Sequence, residues 1–599
     1  MVTFIPKLFS SEGKTQPLKP ELVEAPKTRK PEKLCDIWGP GFRAQLGTHG
    51  ASLKHFYLLG AKYKTDGKPI DLSTTADQEF YRQLRVHWRN PAVAPADDPS
   101  WQVGLDTFDY TIERSTGKLC EFSYSDDRTH LAQSISTTGR PYELKLTATI
   151  TNRAGKPLRH ATKIHTTAWR RHKEVQGAMF RVSPFVTRVE CVLKNGSDVR
   201  LDPKDFEPED FKEPPFARTA LNPGDWYQVT GNPDFVAASN SYFGHALVPR
   251  SSPHPPFCQL QIEERWHADK FKSMSEDPEG GAMYRAALVY PATQLAPGKS
   301  ATYSALSFIG PKERDVLAAA GGGGTRLGQL INLGFFSVIA KVLVAFLLQV
   351  YGWIPNWGVA IIVLTLTART LLFPLSIPSI RSMIKMRELK PELDALNAKH
   401  KDDPQARGLA QMELWRKHKV NPFIGCLPQL ATMPVWIALY TTLQTAVELY
   451  NIPFLWFPDL SAPDRYYILP FIIGGTSFVQ QKMMPMQGGD PAQQKMMLYF
   501  LPGMFTVFML FLPAGLGVYM FTNGVLGIVQ QQAVEWHARR ATRRNRPEGQ
   551  TGGLGSGSAP GDRAEASGVT MAASIRASGR GKKKRRQEQS GQKTKSSAG

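Results

Sequence analysis

The chain is predicted to be multi-domain: an antiparallel β-sandwich, then an α-helical membrane bundle of five core transmembrane helices that carries a helical hairpin. Three observations predict this. Apolar and polar residues alternate with period two across residues 35–312, long apolar runs fill residues 353–536, and the formal charge of +21 is gathered largely in one loop and the tail. Although 42% of residues are hydrophobic, mean hydropathy is slightly negative, because a polar half is averaged with an apolar one.

Residues 1–34 are rich in Pro and Lys and read as a flexible arm, with no apolar core of signal-peptide length among them. In "YELKLTATITNRAG" (142–155), Leu144, Leu146, Ala148 and Ile150 alternate with polar partners before an Asn-Arg-Ala-Gly turn. Runs of this kind between Gly, Pro and Asn clusters give the sandwich at 35–312. "DVLAAAGGGGTRLG" (315–328) reads as a short helical end and a glycine hinge, in a linker at 313–327. Cys35, Cys120, Cys191 and Cys258 lie in this half and Cys426 in the next, with no CxxC or Cys/His spacing that would hold a metal. One or two disulfides stay open if this half is outside the cell; free buried thiols are the expectation.

Residues 328–352 are interrupted by Lys341 and stop at Gly352 and Pro355, which suits an amphipathic helix lying in the membrane interface. Crossings follow at 357–377, 424–447, 466–484, 496–512 and 514–532. The fourth has 17 residues, about 25 Å of helix against a hydrocarbon core of about 30 Å, so local thinning of the bilayer is expected. Between the first two crossings, residues 381–419 hold 10 Lys or Arg, whereas the loop at 450–465 holds only Arg465. The basic loop therefore faces the cytoplasm, and so does the tail at 537–599, while the β-domain lies outside. Such a domain needs a translocation signal, and the expectation is that a first N-terminal anchor is missing from the given sequence.

The loop segment 379–420 reads as two antiparallel helices. Met383, Met386, Leu389, Leu393 and Leu396 recur at helical spacing, Asp402-Asp403-Pro404 breaks the run, and Leu409, Met412 and Trp415 form the second half of one apolar seam. An interaction arm is favoured over inert packing. The tail carries 15 Lys or Arg against 4 Asp or Glu and ends near Lys582, Lys583, Lys584, Arg585 and Arg586. With almost no large apolar residues it is predicted to be disordered, suited to an RNA surface or anionic lipid heads, or else simply a solubilising tail.

Polar groups recur inside the spans: Thr365, Thr367, Arg369 and Thr370, then Gln429 and Thr432, then Thr476, Ser477, Gln480 and Gln481, and finally Thr522, Asn523 and Gln530. No acidic residue lies deep in any span. Arg369 is the informative one, because a charge at mid-helix costs about 2.5–3.5 kcal/mol even on lenient insertion scales. It needs water, carbonyls or hydroxyls in a bundle interior. A secondary transporter with a polar intramembrane cavity is the alternative, but internal repeats are not seen. His160, His165 and Glu190 could be imagined as acid and base of an enzyme; at odd offset the two histidines fall on opposite faces of a strand, and no catalytic role is assigned. Absence of a P-loop pattern argues against ATP-driven transport.

"TARTLLFPL" (367–375), "KVNPFIGCLPQLATMPVWIALY" (419–440), "DRYYILPFIIGGTSFVQQKMMP" (464–485) and "DPAQQKMMLYFLPGMFTVFMLFLPAGLGVYMFTNGVLGIVQQ" (490–531) resemble the YidC-type membrane protein insertases of bacteria. "GASLKHFYLLG" (50–60) and "NSYFGHALVP" (240–249) are similar to pieces of that family's large periplasmic domain, a supersandwich. The resemblance implies an inner-membrane, multi-pass protein with a hydrophilic groove open to the cytoplasm and the lipid. In that groove Arg369 would attract the polar or acidic outer segment of a client, and Thr365 and Tyr519 would line the path of its helix. It further implies a hairpin needed for insertion and a basic tail that helps dock ribosomes. Nascent membrane proteins, the Sec translocon, the ribosome and membrane lipids are the implied partners, with no cofactor, metal or nucleotide.

Overall fold

The computed structural model describes residues 29–65, 67–89, 108–175, 183–206, 226–267, 270–272, 276–333, 336–400, 403–418, 427–483 and 495–544. The first 28 residues of the arm read at 1–34 and the tail from 545, with Lys582 to Arg586, lie outside them. Residues 29–34 are not a free arm, since Arg29 donates to Glu79 and Asp109, Glu32 accepts from Lys54 and Arg82, and Leu34 opens a strand.

Period-two alternation becomes two stacked antiparallel sheets. One has nine strands, ordered Asp198–Leu201, Arg188–Leu193, Pro233–Ser239, Phe243–Pro249, Ser300–Pro311, Glu143–Asn152, Thr129–Thr137, Leu119–Ser125 and Thr111–Ser115. The other has five, ordered Tyr227–Val229, Phe257–Arg265, Gly281–Leu295, Leu158–Arg171 and Val86–Arg89. In the strand Glu143–Asn152 the predicted register holds: Leu144, Leu146, Ala148 and Ile150 are buried, and Asn152 closes the turn by accepting from the Ala154 amide. A three-stranded sheet, Leu34–Gly39, Phe42–Gly47 and Ser52–Leu58, shares the same hydrophobic core.

The expectation of free thiols is corrected. Cys35–Cys120 and Cys191–Cys258 are disulfides with Cα separations of 6.2 and 6.3 Å. The first joins the small sheet to the nine-stranded one, and the second joins the two sheets of the sandwich. Their partners are 85 and 67 residues apart in sequence, a pairing only the tertiary fold creates. Closing loops of that length removes roughly 4–5 kcal/mol of chain entropy from the unfolded state.

Short helices α1 (His172–Val175) and α2 (Arg314–Ala319) precede the glycine run. Gly321, Gly322 and Gly323 all take positive φ, as the turn requires. The segment is nevertheless stitched to the sheets and is no free hinge. The Gly321 amide donates to Glu143, the Arg326 amide to Asp234, Arg200 to the Gln329 carbonyl and the buried Lys312 to the Leu330 carbonyl.

Eight further helices follow among the described residues: α3 (Ser337–Trp353), α4 (Trp357–Glu388), α5 (Lys390–Lys399), α6 (Pro404–Lys417), α7 (Leu427–Thr445), α8 (Ile468–Met483), α9 (Leu501–Met509, entered through a π-helical turn at Met496–Phe500) and α10 (Ala514–Arg544). Helices thus occupy each segment predicted as a crossing. Among the described residues, the stretch Trp357–Pro374 is long and apolar enough to span a membrane, and Ser337–Trp353 and Met496–Met509 are shorter apolar helices. The helix expected at 328–352 starts only at Ser337, after a 3-10 turn at Leu327–Leu330. It buries Ala340, Val344, Leu347 and Val350 and leaves Lys341 exposed.

The hairpin differs from its expected form. Residues 379–388 continue α4, so the pair proper is α5 and α6, joined where Asp403 caps α6 by accepting from the Gln405 and Ala406 amides. Leu393 is buried, but Leu409 and Met412 face outward at 65% and 56% exposure, so the apolar seam is only half made. Gln411 supplies a polar contact across it, donating to Asn397 at 2.7 Å.

The loop between α7 and α8 ties the bundle to the β-domain. Val447 is fully buried within the β-domain core, and Tyr450 packs on Tyr242, Phe243 and Tyr63 with ring centroids 5.2, 5.8 and 6.4 Å away. Arg314 donates to Glu448 at 2.6 Å, and Asn451 donates to the Lys62 and Lys64 carbonyls. The same loop caps two helices: Asp464 accepts from the Leu469 amide of α8, and the Leu460 and Ala462 carbonyls accept from Gly515 and Ala514 of α10.

Two outcomes are expected. Arg314→Ala strands Glu448 in a half-buried site, costing about 1–3 kcal/mol of docking; hydrogen exchange at residues 446–450 should quicken and should recover in the charge-swapped pair Arg314→Glu with Glu448→Arg. Separately, burial holds the imidazoles of His160 and His245 down at about 4. Both stay neutral in the fold while the unfolded chain takes up protons near pH 6.5, so stability is lost as pH falls from about 6.5 to about 4, by up to roughly 3 kcal/mol per histidine. Thermal melts of the detergent-solubilised chain should show that slope, and His160→Gln should flatten it.

Candidate functional site

Helix α4 begins where Asn356 accepts from the Val359 amide, and it buries Trp357, Ala360, Ile361 and Leu364 against the bundle. Ile362, Leu366 and Leu371 point outward at 37%, 50% and 75% exposure. Arg369 lies between these faces, half-buried. Pro374 and Pro378 follow within the same helix; lacking N–H groups, they leave the carbonyls of Thr370 and Pro374 without helical donors. Backbone polarity thus accumulates around the arginine.

The partners of Arg369 come from α10. Its Nε donates to Asn523 Oδ1 at 2.6 Å and its Nη2 to the Asn523 carbonyl at 3.0 Å. Gln530, two turns on, donates to the Arg369 carbonyl at 3.4 Å. Tyr519, Asn523, Gly527 and Gln530 fall on one side of α10 by helical spacing, and Tyr519 is 5% exposed within the bundle core.

Helix α8 completes the site by close approach. A Cβ at Gly517, Gly524 or Gly527 would stand 2.5 Å from Leu469, 3.0 Å from Thr476 and 2.9 Å from Gln480, respectively. The three glycines form a stripe on which α8 lies. At Gly527 the same Cβ would also lie 3.3 Å from Arg369 Nη2, so this glycine brings Gln480 and Arg369 to one point. Gly474 of α8 in turn lets Thr506 of α9 approach.

The threonines behave differently from the arginine. Thr365, Thr367, Thr370, Thr476 and Thr522 each donate to the carbonyl four residues earlier, namely Ile361, Val363, Leu366, Ile472 and Val518. Their hydroxyl protons are used within their own helices, which leaves only acceptor lone pairs. Thr365 is fully buried, whereas Thr367 and Thr476 are half-buried. The structure therefore brings Arg369 and Asn523 into direct contact, with Thr365 and Tyr519 one turn away on their respective helices. Thr476 stands on α8 beside Gly524. Gln429 and Thr432 lie on α7, with side chains outside the described residues. Sequence reasoning gave no weight to Gly527 and left Gln480 and Gln530 as unranked polar residues; the spacing of Gly517, Gly524 and Gly527 was the signal available for them.

The sandwich holds no comparable convergence of His160, His165 and Glu190. His160 Nε2 pairs with Tyr303 Oη at 2.8 Å, His165 packs tilted against His87 and edge-on to Trp226 on the opposite sheet face, and Glu190 accepts from Ser239 and Arg200.

Residues 35–346 match the family described as "YidC periplasmic domain", and residues 349–541 match "60Kd inner membrane protein". The membrane protein insertase YidC of Anaeromyxobacter dehalogenans (strain 2CP-C) is 36% identical over 532 residues, covering 85% of this chain and 86% of its own. That of Geotalea daltonii is 45% identical over 238 residues, 40% of this chain and 44% of its own. A solved active YidC insertase with its first transmembrane domain resolved aligns over 85% of this chain and 93% of its own, at 17% identity and a TM-score of 0.35. Two adjoining family regions spanning both halves, together with a relative aligned over most of its length, establish that the chain belongs to the YidC family of membrane protein insertases.

Proposed function

We propose that this chain inserts and helps fold integral membrane proteins by lending them a polar groove between α4, α8 and α10, centred on Arg369, without nucleotide hydrolysis. The observation that carries the reading is the hydrogen bonding of Arg369. Its guanidinium is held by an amide oxygen and a backbone carbonyl, neither of which carries a formal charge. The positive charge is thus fixed, and no carboxylate among the described residues pairs with it.

The energetics suit a client with an acidic outer segment. A carboxylate costs about 2.5–3.5 kcal/mol at mid-membrane on the lenient scales. A guanidinium 4 Å away returns about 4 kcal/mol at an effective dielectric of 20. The two terms nearly cancel, so the segment pauses without being trapped while its apolar helix partitions into lipid.

The remaining assignments follow the loop charges and the family. The β-domain faces the periplasm, α5, α6 and the basic tail face the cytoplasm, and α4, α7, α8, α9 and α10 cross the inner membrane, with α3 in the interface. The exposed Leu409 and Met412 of the hairpin support an arm that meets partners. Those partners are nascent membrane proteins, the ribosome, the Sec translocon and lipids, and the residues reserved for ribosome or lipid contact are Lys582 to Arg586.

In proteoliposomes without ATP, the purified chain is expected to insert short single- or double-spanning clients. Arg369→Ala should lower insertion of clients with acidic outer segments about tenfold and spare neutral ones. Equal loss for both would overturn the charge-attraction mechanism, and solute uptake in place of insertion would overturn the insertase reading. Photocrosslinking from Thr476, half-buried on α8, should capture the client helix.

A further inference from the structure

We infer that Asn523 is the positioning residue of the groove: it holds Arg369 rigidly while leaving its charge unneutralised, and so sets the preference for acidic clients. This rests on the reading of Arg369 proposed above. Two of the three guanidinium nitrogens are committed to this one residue, Nε to its side-chain oxygen at 2.6 Å and Nη2 to its backbone carbonyl at 3.0 Å. Among the described residues Nη1 has no hydrogen-bond partner. A side-chain and a main-chain acceptor on the same residue fix the plane of the guanidinium as well as its position.

The choice of an amide has a chemical consequence. Aspartate at 523 would occupy the same volume and accept the same bond, and the geometry would persist. It would also place a formal negative charge within hydrogen-bond distance of the guanidinium, forming a closed ion pair that attracts a client carboxylate far less than the lone cation does. The amide accepts without neutralising. Gly527 protects the arrangement, because a Cβ there would press on Arg369 Nη2 at 3.3 Å and on Gln480 Nε2 at 2.9 Å. Asn523 and Gly527 lie one helical turn apart, so a single face of α10 supplies both the acceptors and the space.

The experiment measures insertion, in proteoliposomes of the full chain, of two clients that differ only in an acidic or neutral outer segment. The readout is the acidic-to-neutral ratio, with thermal melting of each variant alongside. Asn523→Asp is expected to lower the ratio about tenfold, to the level of Arg369→Ala, while the melting temperature is kept or raised. A merely structural role would instead lower the melting temperature and both clients together. Asn523→Ala keeps the charge but frees the side chain, and should lower the ratio by a smaller factor. A wild-type ratio in both Asn523 variants, beside a lowered ratio in Arg369→Ala, overturns the inference. A wild-type ratio in Arg369→Ala as well overturns the reading of Arg369 and the inference with it.

Discussion

A guanidinium inside a helix bundle must find acceptors there, because the surrounding apolar side chains offer none. In this chain the acceptors come from Asn523, and much of the bundle is arranged so that α10 can present them to α4. Glycines at 517, 524 and 527 let α8 lie close against α10 and place Gln480 beside the same guanidinium. The prolines of α4 leave carbonyls free near Arg369. A charge that would be a liability on a lipid face is thereby housed between three helices.

Rigidity reaches this site from the β-domain. The loop after α7 inserts Val447 into the sandwich core and stacks Tyr450 on its aromatic residues, while its other end caps α8 and α10. Elements that position Asn523 and Gln480 are thus anchored at one end by a folded, disulfide-stapled body. The threonines around the site do not compete for this role, since their protons are engaged by their own helices.

Much of the fold was legible because burial imposes periodicity. Alternation at 144, 146, 148 and 150 gives a strand with one buried face, and runs of apolar residues between Pro, Gly and charged loops give helices. Local chemistry also marked Arg369, since an unpaired charge within a long apolar run is costly wherever it sits. The seam of the hairpin was less legible. Helical spacing predicts that Leu409 and Met412 share a face, yet not whether a neighbour covers that face, and the short α5 covers only part of it.

What the sequence determined by itself was the kind of each element and the one residue whose charge demanded an explanation, because periodicity and charge are local properties of the chain. Only the tertiary structure decided which groups meet. The Cys35–Cys120 and Cys191–Cys258 pairs, the seating of Tyr450, and the bonds from Arg369 to an amide 154 positions away all join distant segments. Hydrogen bonds and disulfides act over about 3 Å or less. Which groups stand that close is set by how sheets and helices pack, and a linear reading contains no such distance.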